Sequence, residues 1–168
     1  MPFVKPQPQQ TIEGESLAGL KLLLVDSDRD NLVMTMVALR FLKAKIIPAL
    51  SAQEAMNSLL QEEPDVLVSN LVLPEEDGCA LIRQVRRLPY PKFCRIPAIA
   101  LTACRSDELC ERAIAAGFNI YHEIPILSNE LAIIIRNLLS FRNEWQEQHA
   151  IVLADTEVLA RPTDLKSE

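Results

Sequence analysis

Few side chains in this 168-residue sequence have types and spacing suited to covalent chemistry. Asp26 and Asp28 close an apolar run, Leu22-Leu23-Leu24-Val25, and Asn70 closes a second one, Val66-Leu67-Val68, four residues before Pro74. A carboxylate at such a place offers a full negative charge and exposed lone pairs. The amide oxygen of Asn70 is neutral and a poor nucleophile. Asp26 and Asp28 are equally suited to capping the helix that follows, and for Asp28 capping is the preferred reading. Cys79, Cys94, Cys104 and Cys110 stand with at least five residues between neighbours, which matches no zinc spacing. They read as buried free thiols of a reducing cytoplasm. His122 and His149 have no partner pattern and read as surface residues. There is no Gly-rich phosphate loop, so nucleotide or flavin binding has no support.

The elements that must position these residues alternate along the chain. Residues 1–16 are rich in Pro and Gln without periodicity, which predicts a disordered leader. Leu20–Val25 reads as a buried first strand, and a helix follows over Asn31–Lys43, capped by Asp28 or Asp30. Lys45–Leu50 is a second strand, placed at a sheet edge because Pro48 has no N–H for a ladder. Ser51-x-x-Glu54 has the spacing of a capping box for a helix to Gln61. Asp65–Asn70 is a third strand, Asp77-Gly78 a turn, and Gly78–Leu88 a third helix. A Pro-rich link, 88–92, leads to a strand over Ile96–Thr102. Ser106 caps a fourth helix that Gly117 stops. Asn119–Ile124 is a fifth strand and Ser128 opens a fifth helix.

Five strands alternating with five helices predict one α/β domain over residues 17–145, a parallel sheet covered on both faces and joined by right-handed crossovers. The expected strand order, 2-1-3-4-5, is that of the flavodoxin-like fold, whose chemistry sits at the carboxyl ends of the strands. Residues 146–168 form a partly disordered extension. A formal charge of −6 and a pI near 5.0 argue against non-specific nucleic-acid binding. No apolar run approaches ~18 residues, so no membrane span is expected, and the amino terminus lacks a signal pattern. A cytoplasmic protein follows.

The VDSD run at Val25–Asp28, the stretch from Pro64 through Asn70 and Pro74 to Asp77-Gly78, the ALTA run at Ala100–Ala103 and the Ile124-Pro125 pair together resemble the receiver domains of response regulators. The resemblance covers residues 17 to about 143. Receivers take a phosphoryl group from a phosphohistidine onto an Asp at the tip of the third strand, and this chain carries Asn70 there. The family holds Mg²⁺ with two adjacent acids after the first strand; here Asp26 matches the first and Ser27 replaces the second. A Lys before the final Pro normally pairs with the phosphate, and Ile124 stands in its place. Thr102 and Tyr121 match the hydroxyl and aromatic positions of the family's switch. The resemblance thus implies a vestigial pocket of Asp26, Ser27, Asn70, Thr102, Tyr121 and Ile124, with no metal and no cofactor. As a set the substitutions make electrostatic sense, because a Lys left without its acids would be a costly unpaired charge. Asp26 is then expected to be hydrogen-bonded by Ser27, Asn70 or backbone amides.

What remains is surface. The first helix carries Val33, Met34, Val37 and Phe41 in addition to the stripe it needs for the core. Such a patch marks a protein contact unless the leader or residues 151–160 cover it. The fifth helix shows a similar excess, Ile133 among it, on the face that the family uses for dimers and effectors. Arg83, Arg86, Arg87, Lys92 and Arg95 read as a solvated basic face, with an acidic partner as the alternative. The expected function is a non-enzymatic pseudo-receiver of two-component signalling, a phosphorylation-independent signalling or scaffold module. Its partner would be a histidine kinase or another signalling or effector protein, and a homodimer is open. The alternatives are a working receiver that uses another acid, such as Asp28 or Glu75, and a flavodoxin-like ligand binder at the same crevice.

Overall fold

The computed structural model of the chain describes residues 16–73, 77–104 and 106–140. Apolar, β-branched runs become five short parallel strands: β1 (Lys21–Val25), β2 (Lys45–Ala49), β3 (Val66–Asn70), β4 (Ala98–Thr102) and β5 (Ile120–Glu123). Their order is β2-β1-β3-β4-β5, as expected. β1, β3 and β4 have side chains buried on both faces, which is why their sequences read as continuous apolar runs instead of alternating ones. β2 lies at one edge with Pro48 exposed, where its missing N–H costs no ladder bond.

Among the described residues six helices cover the sheet, one more than expected. They are α1 (Arg29–Leu39), α2 (Ala52–Glu62), α3 (Gly78–Arg86), α4 (Pro91–Cys94), α5 (Asp107–Ala116) and α6 over residues 128–140. The additional one, α4, is a single turn inside the Pro-rich link. Pro91 opens it with a φ already suited to a helix, and Phe93 is its buried anchor. Asp28 caps α1, accepting from the N–H groups of Asp30 (2.8 Å) and Asn31 (3.1 Å), so the helix begins two residues before the expected start. It tightens into a 3₁₀ turn over Arg40–Leu42 and stops at Lys43, whose φ is 61°. At α2, Ser51 Oγ accepts from Glu54 N–H (3.1 Å), while the Glu54 carboxylate reaches one residue further back than a capping box requires, to Leu50 N–H (2.7 Å). β4 starts at Ala98 because Pro97 cannot donate to the ladder.

The two faces of the sheet carry separate cores. Leu23, Val25, Leu67, Ala98 and Ala100 pack against α2, α3 and α5. Leu22, Leu24, Val66, Val68, Ile99 and Leu101 pack against α1 and α6. The leader (apart from Ser16) and the extension over 146–168 lie outside the described residues, as do Glu75, Phe141 and His149. Among the described residues no helix is long and apolar enough to cross a membrane.

Candidate functional site

The carboxyl ends of β1, β3 and β4 bring Asp26, Asn70 and Thr102 to one edge of the sheet. Asp26 is buried, and both carboxylate oxygens are engaged. Oδ1 accepts from Asp28 N–H (2.9 Å) and Oδ2 from the Asn70 side-chain amide (3.3 Å). Asn70 completes the bridge by accepting Val72 N–H at its own Oδ1 (3.0 Å). Two of the expected donors therefore serve Asp26, but Ser27 does not. The Ser27 hydroxyl donates to the Val72 carbonyl instead (3.2 Å). The amide thus bridges the β1 and β3 tips with a donor where a carboxylate would present another acceptor.

Gly78, the first residue of α3, closes this edge from below. Its N–H donates to Leu71 O (2.8 Å), and a Cβ added to it would lie 2.6 Å from Asn70 O. The Asp-Gly pair therefore does more than turn the chain. Asp77 caps α3 through Ala80 N–H (2.9 Å), and Gly78 permits the close approach of helix and strand tip.

Thr102 and Tyr121 both engage the backbone of Cys104. Thr102 is buried and its Oγ1 accepts from Cys104 N–H (3.2 Å); the half-buried Tyr121 donates its hydroxyl to Cys104 O (2.6 Å). Ile124 packs at the margin of the core and lines a groove beside α1 with Ala103 and Thr35. Among the described residues, a divalent cation at this edge would meet a single carboxylate, Asp26, whose two oxygens each accept one hydrogen bond. Mg²⁺ is usually held by one or two carboxylates completed by waters and phosphate oxygens, and one carboxylate is the low end of that set. Among the described residues no three His, Cys, Asp or Glu side chains converge on a metal position.

The thiols are only partly buried as a group: Cys79 is buried, Cys94 and Cys110 half-buried, and Cys104 exposed. Burial, reinforced by the Asp77 carboxylate, pushes the Cys79 thiol up, so it stays protonated and inert. His122 does have a partner, Glu130 Oε1 at 3.0 Å from its Nε2. Arg86 departs furthest from expectation. It is not part of a solvated basic face: its guanidinium donates to the carbonyls of Gly117 (2.9 and 2.8 Å), Ile96 (2.7 Å) and Cys94 (3.1 Å). Burial pulls its pKa down from the ordinary arginine value. Nothing in a run of arginines marks which one turns inward.

At the expected contact surface, Val33, Met34, Val37 and Phe41 are all exposed on α1 and its 3₁₀ extension. On α6 the apolar excess is spent inward. Leu131 and Ile135 are buried and Ile134, Leu138 and Leu139 pack on the core, which leaves Ile133 facing out.

A doubly wound sheet with an acid at the first strand tip, an amide opposite it and a Thr–aromatic pair beside them defines a CheY-like protein. The response regulator receiver domain model matches residues 22–136, and the chain belongs to that family. An uncharacterized 14.6 kDa protein in the sodA1 3′ region of Leptolyngbya boryana is 38% identical over 122 residues, 73% of this chain and 92% of that one. The response regulator SaeR of Staphylococcus aureus is 28% identical over 127 residues, 76% of this chain, and the match spans 54% of SaeR. Among solved structures, a Chloroflexus aurantiacus chain described as a response regulator superposes with a TM-score of 0.67 at 30% identity, covering 72% of this chain and 98% of that one. The chemotaxis protein CheY4 of Vibrio cholerae shares the fold at 21% identity with a TM-score of 0.65, covering 71% and 98%.

Proposed function

We propose that this receiver domain works without phosphorylation, as a non-enzymatic cytoplasmic module of two-component signalling that acts by protein contact. The observation that carries the reading is the bridge between the Asn70 amide and Asp26 Oδ2 (3.3 Å). It replaces an acceptor carboxylate with a neutral donor and removes one of the carboxylates that a metal at this edge would draw on. Ile124 supports the same reading, because an aliphatic side chain cannot neutralise charge developing on a transferred phosphoryl group. The hold of Cys104 on both Thr102 and Tyr121 supports a single persistent arrangement of the switch pair. The exposed apolar residues of α1 are the contact surface that fits it.

A phosphoryl acceptor other than Asn70 is the competing reading. Asp28 is poorly placed for that role, since its carboxylate is committed to two N–H groups of α1. The experiment is intact-mass measurement after incubation with acetyl phosphate and millimolar Mg²⁺. The expected result is no adduct; a gain of about 80 Da, one phosphoryl group, refutes the proposal.

A further inference from the structure

Ser27 and Asn70 stand where the family carries acids, and both are tied to the backbone of one residue, Val72. The Ser27 hydroxyl donates to Val72 O (3.2 Å), and Asn70 Oδ1 accepts Val72 N–H (3.0 Å). Asn70 donates its amide to Asp26 Oδ2 (3.3 Å), and Asp26 is joined along the chain to Ser27. The four residues therefore close a ring that ties the tips of β1 and β3 to the segment 71–73. Burial anchors the same segment: Leu71 and Leu73 are each 7% exposed, while Val72 between them is 71% exposed. Leu71 is held further by its N–H on Leu101 O (3.1 Å) and by Gly78 N–H on its own carbonyl (2.8 Å).

The ring depends on the residue types at 27 and 70. Position 70 must donate to a carboxylate and accept an N–H at once, which an amide does and an ionised carboxylate cannot. Position 27 must donate to a carbonyl oxygen, and an acid there would set two acceptors against each other. We infer that Ser27 and Asn70 are positioning residues, a built-in latch that holds segment 71–73 across the tip of β1 in one conformation. Neither a phosphoryl group nor a cation is required to keep it there. Hydrogen bonds in a closed ring support one another, so opening it at one place loosens the rest. The inference deepens the phosphorylation-independent reading and rests on it for its meaning. Its own readout is the opening of a backbone segment, which a phosphoryl adduct does not report, so the two fail separately.

Amide hydrogen exchange of the full chain at pH 7, read at Val72 by NMR, is the experiment. In the wild type Val72 N–H is expected to be protected on the order of a hundredfold, the product of about fivefold for each of three bonds. Ser27→Ala and Asn70→Asp each break the ring away from the Val72 N–H bond itself, since Asp still offers that N–H an acceptor. Each is expected to lower the protection of Val72 about five- to tenfold. The double variant falls little further, because a ring opened once is already open. Ser27→Thr, which keeps the hydroxyl, retains the protection, and Ser27→Asp does not. The amides of β1 and β4 are expected to stay as protected as in the wild type throughout. A Val72 N–H unprotected in the wild type overturns the inference. So does one whose protection is unchanged in Ser27→Ala and Asn70→Asp, the behaviour of an isolated turn at Asn70. A loss at Val72 matched by an equal loss across β1 and β4 reports general destabilisation and equally overturns it. Acetyl phosphate with Mg²⁺ is expected to leave Val72 unchanged. An adduct with Val72 unchanged sinks the earlier reading and spares this one, whereas a change at Val72 overturns the latch with or without an adduct.

Discussion

At the scale of single residues, the difference between a phosphoryl acceptor and Asn70 is one amide group, and its physical weight lies in the partner it faces. Asn70 donates to a buried carboxylate, Asp26. Asn70→Asp would replace that donor with a second negative charge at hydrogen-bonding distance. Like charges so close raise the folded-state pKa of the pair above its unfolded value. The sign follows: a carboxyl whose folded pKa is raised contributes its stability below the unfolded pKa and loses it as pH rises. The variant should therefore be less stable than wild type by about 1–3 kcal/mol at pH 7, with the gap closing on acidification toward pH 4. Urea denaturation at several pH values measures this. A variant as stable as wild type at pH 7 would show that the two side chains do not face each other. Restoring the acid alone is not expected to restore phosphorylation, because Ser27 and Ile124 remain.

At the scale of elements, the junction of β3 with α3 is governed by a close approach more than by a turn. Helix propensity alone favours Ala over Gly by up to about 1 kcal/mol, and the φ of Gly78 lies outside the left-handed region. Against that, an added Cβ meets Asn70 O at 2.6 Å and Leu71 Cα at 3.0 Å, both backbone atoms that cannot rotate aside. Overpacking wins. Gly78→Ala should destabilise the domain by about 1–3 kcal/mol, and thermal melting checks it; a rise in Tm would mean that the helix start can move away from the strand tip without loss. Sequence spacing reads the elements well where the signal is local. Asp28, Ser51 and Ser106 each cap the helix that follows them, as their spacing predicts, while Asp77, read as part of a turn, caps α3 as well. It reads them poorly where a one-turn helix such as Pro91–Cys94 depends on burying Phe93 under its neighbours.

At the scale of the whole molecule, Arg86 joins parts of the chain that strand pairing does not. It reaches from α3 to the carbonyls at the end of α4, before β4 and at the α5–β5 turn. Arg86→Met would leave those carbonyls without their donor in a half-buried setting. The expected cost is about 3 kcal/mol, roughly a 10 °C fall in Tm. Arg86→Lys should lose most of the same amount, since an ammonium cannot reproduce the planar fork that reaches three carbonyls. Equal stability of the Lys variant and wild type would reduce Arg86 to a point charge.

What the sequence by itself determined is whatever depends on neighbours along the chain. The five strands, the edge position of β2, the helix caps and the absence of an acid at 70 are written in local pattern, and the strand order came with the motifs that mark the family. The tertiary structure alone decided how polar groups far apart in sequence are paired. It turned Asn70 toward Asp26, sent the Ser27 hydroxyl to Val72, folded Arg86 inward out of a run of arginines, and consumed the apolar excess of α6 while leaving that of α1 exposed. The reason is physical. Backbone propensity is set by residues a few positions apart, whereas burial and hydrogen-bond satisfaction are set by whichever groups the finished fold brings within 3 Å or so.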